Sequence, residues 1–307
     1  MAITGVLRPG HTQLRVLDLE ASVKFYTDIM GLEETGRDSS GRVYFKCLDE
    51  VDHHSLIIRQ SEKTGMDFYG FRVLDRQTLE KLDSDLRAFG IPTTHIPAGD
   101  LLETGERIRF TVPSGHVIEL YAEKTNIGNS RGYLNPEVVI EGRRGISPVR
   151  LDHWQVHGGD IDGSVKVFTK ILGFSVTEQI LLGDGTAAAV WLSCSNKAHD
   201  IAFVRDERDN TLHHTAFYLD SWHDVLNAAD IMGKYRVKVD IGPTRHGITR
   251  GATIYAFDPS GNRFETFAGG YTFYPDIPPI TWTEDEMGAA IFYHDRKLNE
   301  AFLTVVT

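Results

Sequence analysis

The 307-residue chain is long enough for about two domains, and its 41% hydrophobic and 24% charged residues are ordinary for a globular protein. Its formal charge of −11 argues against nucleic acid or an anionic membrane surface as a partner. No apolar run is long enough to cross a membrane and the first residues lack the pattern of a signal peptide, so the sequence predicts a cytoplasmic protein with no membrane contact.

Four segments of the chain share one plan, a short strand followed by an amphipathic helix with an N-terminal cap and a terminating glycine. The predicted helices, counted from cap to glycine, cover residues 18–31, 75–90, 162–173 and 220–233, with Asp18, Asp75, Asp162 and Asp220–Ser221 as caps. The two halves of the chain also end alike. Pro113-Ser-Gly-His precedes Glu119, and Pro259-Ser-Gly-Asn precedes Glu265.

These repeats predict an α+β fold of two domains, each built from two βαβββ modules whose mixed sheet curves around a central cleft. We place the N-terminal domain at residues 1–130 and the C-terminal domain at residues 149–280. Residues 131–148 contain Gly, Asn, Arg and Pro without a clear period, as expected of a linker. Residues 281–307 lie outside the repeats and are predicted to cover a pocket, to contact another subunit, or to do both.

The stretch from Thr244 to Glu265 places a His, a Tyr and a carboxylate close together, and a lone carboxylate on an apolar strand needs a cation. Two distant histidines, His153 and His214, can complete a two-His, one-carboxylate metal site. The three residues are too far apart for a zinc finger but suit neighbouring strands that meet in a cleft. Such sites are typical of non-haem Fe(II) oxygen chemistry.

Strand alternation predicts that His153 shares a face with Leu151 and Gln155, and that Glu265 shares one with Phe267.

His11 and Glu119 occupy the places of His153 and Glu265 in the first half, whereas the middle position falls near Phe68 or Tyr69. Neither of those side chains is an ordinary ligand for a hard divalent ion. The first domain is therefore predicted to be metal-free and the second to be the catalytic one.

The chain resembles the type I extradiol ring-cleavage dioxygenases of the vicinal oxygen chelate superfamily, and within them the catechol 2,3-dioxygenase (metapyrocatechase) family. The resemblance runs from Arg8-Pro-Gly-His11 through Leu212-His-His-Thr-Ala-Phe to the stretch 291–300. Residues 244–265 match the family signature, including its His-to-Tyr and Tyr-to-Glu spacings. The resemblance implies the vicinal oxygen chelate (glyoxalase-like) fold.

The resemblance also implies the activity, extradiol (meta) cleavage of catechol or substituted catechols with O₂ to 2-hydroxymuconate semialdehyde, in aromatic hydrocarbon catabolism. Fe(II) would be held by His153, His214 and Glu265, and the enzyme would be a homotetramer. His199 would act as an acid/base group, while His246 and Tyr255 would hydrogen-bond the catechol oxygens. The candidates for the substrate pocket are apolar or aromatic, with the last two implied by the resemblance: Trp191, Ile248, Ile291 and Phe302.

Three alternatives remain open at the level of sequence. A metal-dependent isomerase or lyase of the glyoxalase type would leave His199, His246 and Tyr255 without a clear purpose. A metal-free binding module would not need the complete His-His-Glu set. A Mn(II)-dependent extradiol dioxygenase would use the same ligands, because these ligand types do not separate Fe(II) from Mn(II).

Overall fold

The computed structural model describes residues 5–140 and 142–307. They form two curved mixed sheets, with helices packed on their outer sides. The first sheet comprises β1 Val6–Val16, β2 Glu33–Arg37, β3 Val43–Lys46, β4 Leu56–Gln60, β5 Gly65–Val73, β6 Thr93–Ile96, β7 Arg107–Thr111 and β8 Val117–Tyr121. The second comprises β9 Arg150–Gly158, β10 Ser175–Leu181, β11 Ala187–Ser193, β12 Ile201–Arg205, β13 Thr211–Tyr218, β14 Val239–Arg245, β15 Gly251–Phe257, β16 Arg263–Gly269 and β17 Ile280–Thr283.

The α-helices are α1 Leu19–Lys24, α2 Arg76–Ala88, α3 Ile161–Lys170, α4 Trp222–Lys234, α5 Met287–Ile291 and α6 Glu300–Thr304. One turn of π-helix, Phe25–Ile29, extends α1, and a short 3₁₀ turn, Glu284–Glu286, precedes α5. Every helix in the described ranges is too short or too polar to cross a lipid bilayer.

Strand order confirms the predicted α+β fold of repeated βαβββ modules. In the first sheet the order is β2-β3-β4-β1-β5-β8-β7-β6, and in the second it is β14-β15-β16-β13-β9-β12-β11-β10-β17. The first strand of each module pairs in parallel with its last strand, and two modules meet through an antiparallel central pair, β1 with β5 and β9 with β13. The predicted start of the tail at residue 281 falls inside β17, which pairs with β10.

The N-terminal caps of α1, α2 and α4 agree with the prediction from the sequence, and the cap of α3 differs. Asp18, Asp75 and Ser221 accept hydrogen bonds from backbone N–H groups in the first turns of α1, α2 and α4. For α3 the prediction of Asp162 is wrong, because Asp160 accepts from the backbone N–H of Gly163 and the helix begins at Ile161. Two aspartates two residues apart give the same local signal, and the upstream one has the non-helical backbone that a cap requires.

The end of α4 also differs from the prediction. Gly233 was expected just past the helix, but it lies within the last turn, and Arg236 takes the left-handed conformation at φ 54°. Arg236 donates its N–H to Gly233 and Val237 donates to Met232, the paired bonds of a Schellman motif. Gly233 therefore gives a helix-stop signal three residues before the residue that takes the left-handed conformation.

The two domains contact each other through equivalent turns. The turn before β8 reaches the second domain, where Nε2 of His116 lies 3.1 Å from the carbonyl oxygen of Thr211. The turn before β16 reaches the first domain, where Asn262 donates to the Arg15 carbonyl at 3.0 Å and accepts from the Gly65 N–H at 2.8 Å. In each of these turns a buried polar side chain thus hydrogen-bonds to the backbone of the other domain.

Candidate active site

Three adjacent strands bring the predicted metal ligands together. His153 lies on β9, His214 on β13 and Glu265 on β16, and both His153 and Glu265 stand opposite Ala216 in the register. The candidate ligand atoms all lie within 4.8 Å of one another. Nε2 of His153 is 3.0 Å and Nε2 of His214 is 3.3 Å from Oε2 of Glu265. All three side chains are buried.

The residues fit a divalent metal ion. Nε2 of His214 and Oε2 of Glu265 are buried and have no hydrogen-bond partner among the described residues. Leaving such atoms unpaired is costly in a protein interior, and a cation among them would remove that cost. Burial lowers the pKa of His214 to about 4, so its imidazole is neutral at pH 7, as a ligand must be.

A second set of hydrogen bonds orients both imidazoles. Nδ1 of His153 lies 3.0 Å from Oδ2 of Asp152 and donates to it, which leaves Nε2 as the lone-pair nitrogen. Burial opposes ionisation of Asp152, but Lys197 and His153 hold the pKa of its carboxyl well below the usual range. Asp152 directly precedes a predicted ligand in the sequence, but nothing in the sequence alone indicates this role.

His214 is oriented by a hydrogen-bond relay through His213, which the sequence did not predict. Nε2 of His213 donates to the carbonyl oxygen of Phe302 at 2.7 Å, so Nδ1 of His213 must accept. The partner of that nitrogen is Nδ1 of His214, 2.7 Å away, which therefore carries the proton and leaves Nε2 free for a metal. The backbone of α6 thus fixes the tautomer of a candidate ligand.

The three predicted acid/base residues surround the ligand cluster. The ring centroid of His199 is 3.9 Å from that of His153, and burial with the nearby His153 lowers the pKa of His199 well below its ordinary value. Nε2 of His246 lies 2.8 Å from the hydroxyl of Tyr255, and Nδ1 of His246 donates to the carbonyl oxygen of Ile291. Burial raises the pKa of Tyr255 well above 10, and Glu265 adds to the shift.

One cavity connects these groups with the predicted substrate-pocket residues. Its polar wall contains the six residues discussed above, His153, His199, His214, His246, Tyr255 and Glu265. Its apolar wall contains all four predicted residues, Trp191, Ile248, Ile291 and Phe302. The last two belong to α5 and α6, so the C-terminal segment closes one side of this cavity. The space suits a flat apolar ring that carries polar oxygens on one edge.

The strand-face predictions are right for Gln155 and Phe267, which both line the cavity, and wrong for Leu151. His153 pairs with Ala216 and Leu151 pairs with Phe217, so a bulge at Asp152 shifts the register by one residue. Leu151 consequently packs in the hydrophobic core on the other face. The bulge also directs Asp152 toward its hydrogen bond with His153.

The corresponding place in the first domain contains fixed positive charge. Phe68, not Tyr69, stands opposite Gln13 as His214 stands opposite Gln155, and Arg109 pairs with Glu119 as Tyr255 pairs with Glu265. The residue at the position equivalent to Thr253 is also an arginine, Arg107.

Arg107 is fully buried, and its Nε donates to Glu119 at 3.0 Å. Arg109 donates to the other oxygen of the same carboxylate and lies with its Cζ 5.0 Å from the centroid of the Phe68 ring. Nε2 of His11 is 3.2 Å from Glu119. Two guanidinium groups thus neutralise the carboxylate that matches Glu265.

Comparisons with known proteins agree with this architecture. Residues 66–125 match the family described as the catechol 2,3-dioxygenase-like N-terminal domain. Residues 150–266 match the glyoxalase/bleomycin resistance protein/dioxygenase superfamily. The chain is 48% identical to a metapyrocatechase of Pseudomonas sp. (strain CF600) across 99% of both chains. It is 33% identical to a manganese-dependent 2,3-dihydroxybiphenyl 1,2-dioxygenase of Geobacillus genomosp. 3, across 93% of this chain and 92% of the relative.

Two solved structures share the whole fold. The 2,3-dioxygenase LapB from Pseudomonas sp. KL28 superposes with a TM-score of 0.91 at 58% identity, covering 92% of this chain and 99% of that one. Homoprotocatechuate 2,3-dioxygenase from Brevibacterium fuscum has a TM-score of 0.89 at 26% identity, covering 100% and 95%. On this fold and these identities, the chain belongs to the extradiol dioxygenases of the vicinal oxygen chelate superfamily, in the group that contains the metapyrocatechases.

Proposed function

We propose that this chain cleaves catechol, or a catechol with a small ring substituent, beside the diol and converts it with O₂ to 2-hydroxymuconate semialdehyde. Both oxygen atoms of O₂ enter the product, so the reaction needs no further reductant. The observation that carries the proposal is the set of two imidazoles and one carboxylate, buried together with unpaired ligand atoms, on the floor of an apolar cavity. The metapyrocatechase relative supports the choice of catechol.

His153, His214 and Glu265 would hold the metal, for which we propose Fe(II). When bound, the metal would supply a Lewis acid that lowers the pKa of the catechol hydroxyls and a shared binding place for the diol and O₂. Two neutral imidazoles and one carboxylate leave a divalent ion with one net positive charge, which matches a catecholate monoanion. Mn(II) is the second candidate, because a manganese-dependent relative is similar across nearly the whole chain.

The protein groups around the diol can hold and move protons. Nδ1 of His246 donates to Ile291, so its Nε2 is the acceptor for the Tyr255 hydroxyl or for a substrate hydroxyl. His199, neutral because burial lowers its pKa, can accept a proton on the other side of the ligand cluster. Trp191 and Ile248 exclude water from the ring, and a single ring substituent there is worth about 1–3 kcal/mol in selectivity.

The test is anaerobic loading of metal-stripped protein with Fe(II), Mn(II) or Zn(II), followed by catechol and air. We expect O₂ uptake and a yellow ring-fission product with Fe(II), and neither with Zn(II). Activity restored by Mn(II) alone would make the enzyme manganese-dependent. Absence of O₂ uptake with either Fe(II) or Mn(II) bound in stoichiometric amount would contradict the dioxygenase proposal and favour the glyoxalase-type isomerase.

A chain that binds no metal at all would instead point to a binding module. The homotetramer and the cytoplasmic location also belong to this proposal. Sedimentation equilibrium of the loaded protein tests the first of these, and a monomer at micromolar concentration would contradict it.

A further inference from the structure

Glu178 is a buried carboxylate that joins three separate segments beside the cavity. It lies on β10, on the strand face turned toward the loop that carries His246. Its Oε2 accepts from the backbone N–H of Thr249 at 2.8 Å and from the Tyr271 hydroxyl at 3.0 Å, while its Oε1 accepts from Nε1 of Trp282 at 2.7 Å. No role in metal binding or proton transfer falls to it.

The loop that Glu178 holds is conformationally strained. Thr249 and Arg250 are consecutive non-glycine residues in the left-handed region, at φ 53° and 59°. A β-branched residue in that region is disfavoured, and such strain persists only where the surroundings impose it. The N–H of Thr249, the first of these two residues, donates to Glu178.

The same loop lines the cavity with His246, Ile248 and Thr249. From the other side, the carbonyl oxygen of Ala290 accepts the N–H groups of both Gly247 and Ile248 at 2.9 Å. A side chain at position 247 would clash with the Ala289 carbonyl, so α5 sits directly on this loop. Trp282, which leads into α5, is fixed by Glu178 as well.

We infer that Glu178 is a positioning residue for ring cleavage: it fixes the 246–250 loop and the C-terminal segment together, and thereby sets the wall against which the substrate ring packs. The kinetic part of this inference rests on the proposed function. Its structural part, the restraint of the loop, does not.

The variant Glu178→Met keeps about the size of the side chain but carries no acceptor oxygen, so the N–H of Thr249, the hydroxyl of Tyr271 and Nε1 of Trp282 lose their common partner. The matched control is Gln179→Ala. Gln179 is the next residue on the same strand and links it to Thr281 of β17 at 3.0 Å, without touching the loop. Both variants weaken the contact between β10 and β17, and only the first releases Thr249.

We expect the amide hydrogens of peptide 246–251 to exchange at least tenfold faster in Glu178→Met than in the native protein, and Gln179→Ala to leave that peptide unchanged. In the metal-loaded protein, kcat/KM for catechol should fall about tenfold with a raised KM, while metal content stays native. Adding Arg250→Gly, which removes the Cβ from one strained position, should recover part of this loss.

Native exchange in Glu178→Met, the same acceleration in Gln179→Ala, or a loss of kcat/KM accompanied by loss of metal would overturn the inference. If the native protein has no dioxygenase activity, the proposed function is wrong. The hydrogen-exchange rates then still test whether Glu178 restrains the loop.

Discussion

His199 is the residue whose role separates catalysis from metal binding. Its ring lies against His153, yet it is not among the three residues whose ligand atoms converge. We predict that His199→Ala retains stoichiometric metal and loses about 10²–10⁴-fold in kcat, the usual worth of a general acid/base group. Elemental analysis and O₂ uptake check both parts. Exposed His223→Ala is the control, and native turnover in His199→Ala would refute the acid/base role.

Asp152 is a further residue whose contribution can be isolated. Its carboxylate receives the Nδ1 proton of His153, which fixes the ring and increases the basicity of Nε2. Asp152→Asn is expected to weaken metal affinity about 10–100-fold. Competition with a fluorescent chelator measures this without reference to turnover. Asp220→Asn, an exposed carboxyl, should behave as native, and an equal effect there would remove the argument.

At the scale of elements, the end of α4 gives a stability prediction. Arg236 takes the left-handed conformation that glycine adopts freely, and its side chain is exposed. Arg236→Gly removes the strain and adds some entropy to the unfolded chain, so we expect a net gain of about 0.5–1 kcal/mol. Thermal unfolding of the metal-loaded protein measures it. Arg236→Ala, which keeps the Cβ, should gain nothing.

The elements also show where sequence reasoning succeeded. Caps and amphipathic spacing predicted four helices in the right places, because those signals are local. The error at Asp160 arose because two neighbouring aspartates offer the same cap signal. The error at the end of α4 arose because Gly233 lies within the last turn while Arg236 takes the left-handed conformation. The face of Leu151 could not be predicted, because the bulge at Asp152 depends on pairing with β13.

For the site, strand and repeat positions predicted the ligands His153, His214 and Glu265, whereas the family resemblance supplied the roles of His199, His246 and Tyr255. The structure brings all six side chains to one cavity. Asp152, His213 and Glu178 could not be predicted. Their roles depend on which atom each side chain reaches. The contact of Asp152 with the His153 ring depends on the bulge in β9, and those of His213 and Glu178 join distant parts of the chain.

At the scale of the whole molecule, His116 links domain contact to pH. Burial lowers the pKa of His116 to about 4, whereas the unfolded chain titrates near 6.5. The unfolded state therefore binds more protons between those values, and stability is lost as the pH falls through this interval. We expect His116 alone to account for a loss on the order of 2–3 kcal/mol between pH 7 and pH 4.

Urea unfolding at several pH values measures this loss. His116→Asn, which copies the residue of the equivalent turn, should flatten the curve between pH 6.5 and 4. A variant whose pH dependence stays parallel to that of the native protein would contradict the assignment.

The arginines beside Glu119 have a consequence for the history of the duplication. Restoring the missing imidazole by Phe68→His would set a basic ring against Arg109 and still leave the carboxylate bound to two guanidinium groups. Removing either arginine first would leave the buried carboxylate with one guanidinium partner in place of two. Each single step is therefore expected to lower the stability of the protein, so a metal site in the first domain would need several substitutions made together.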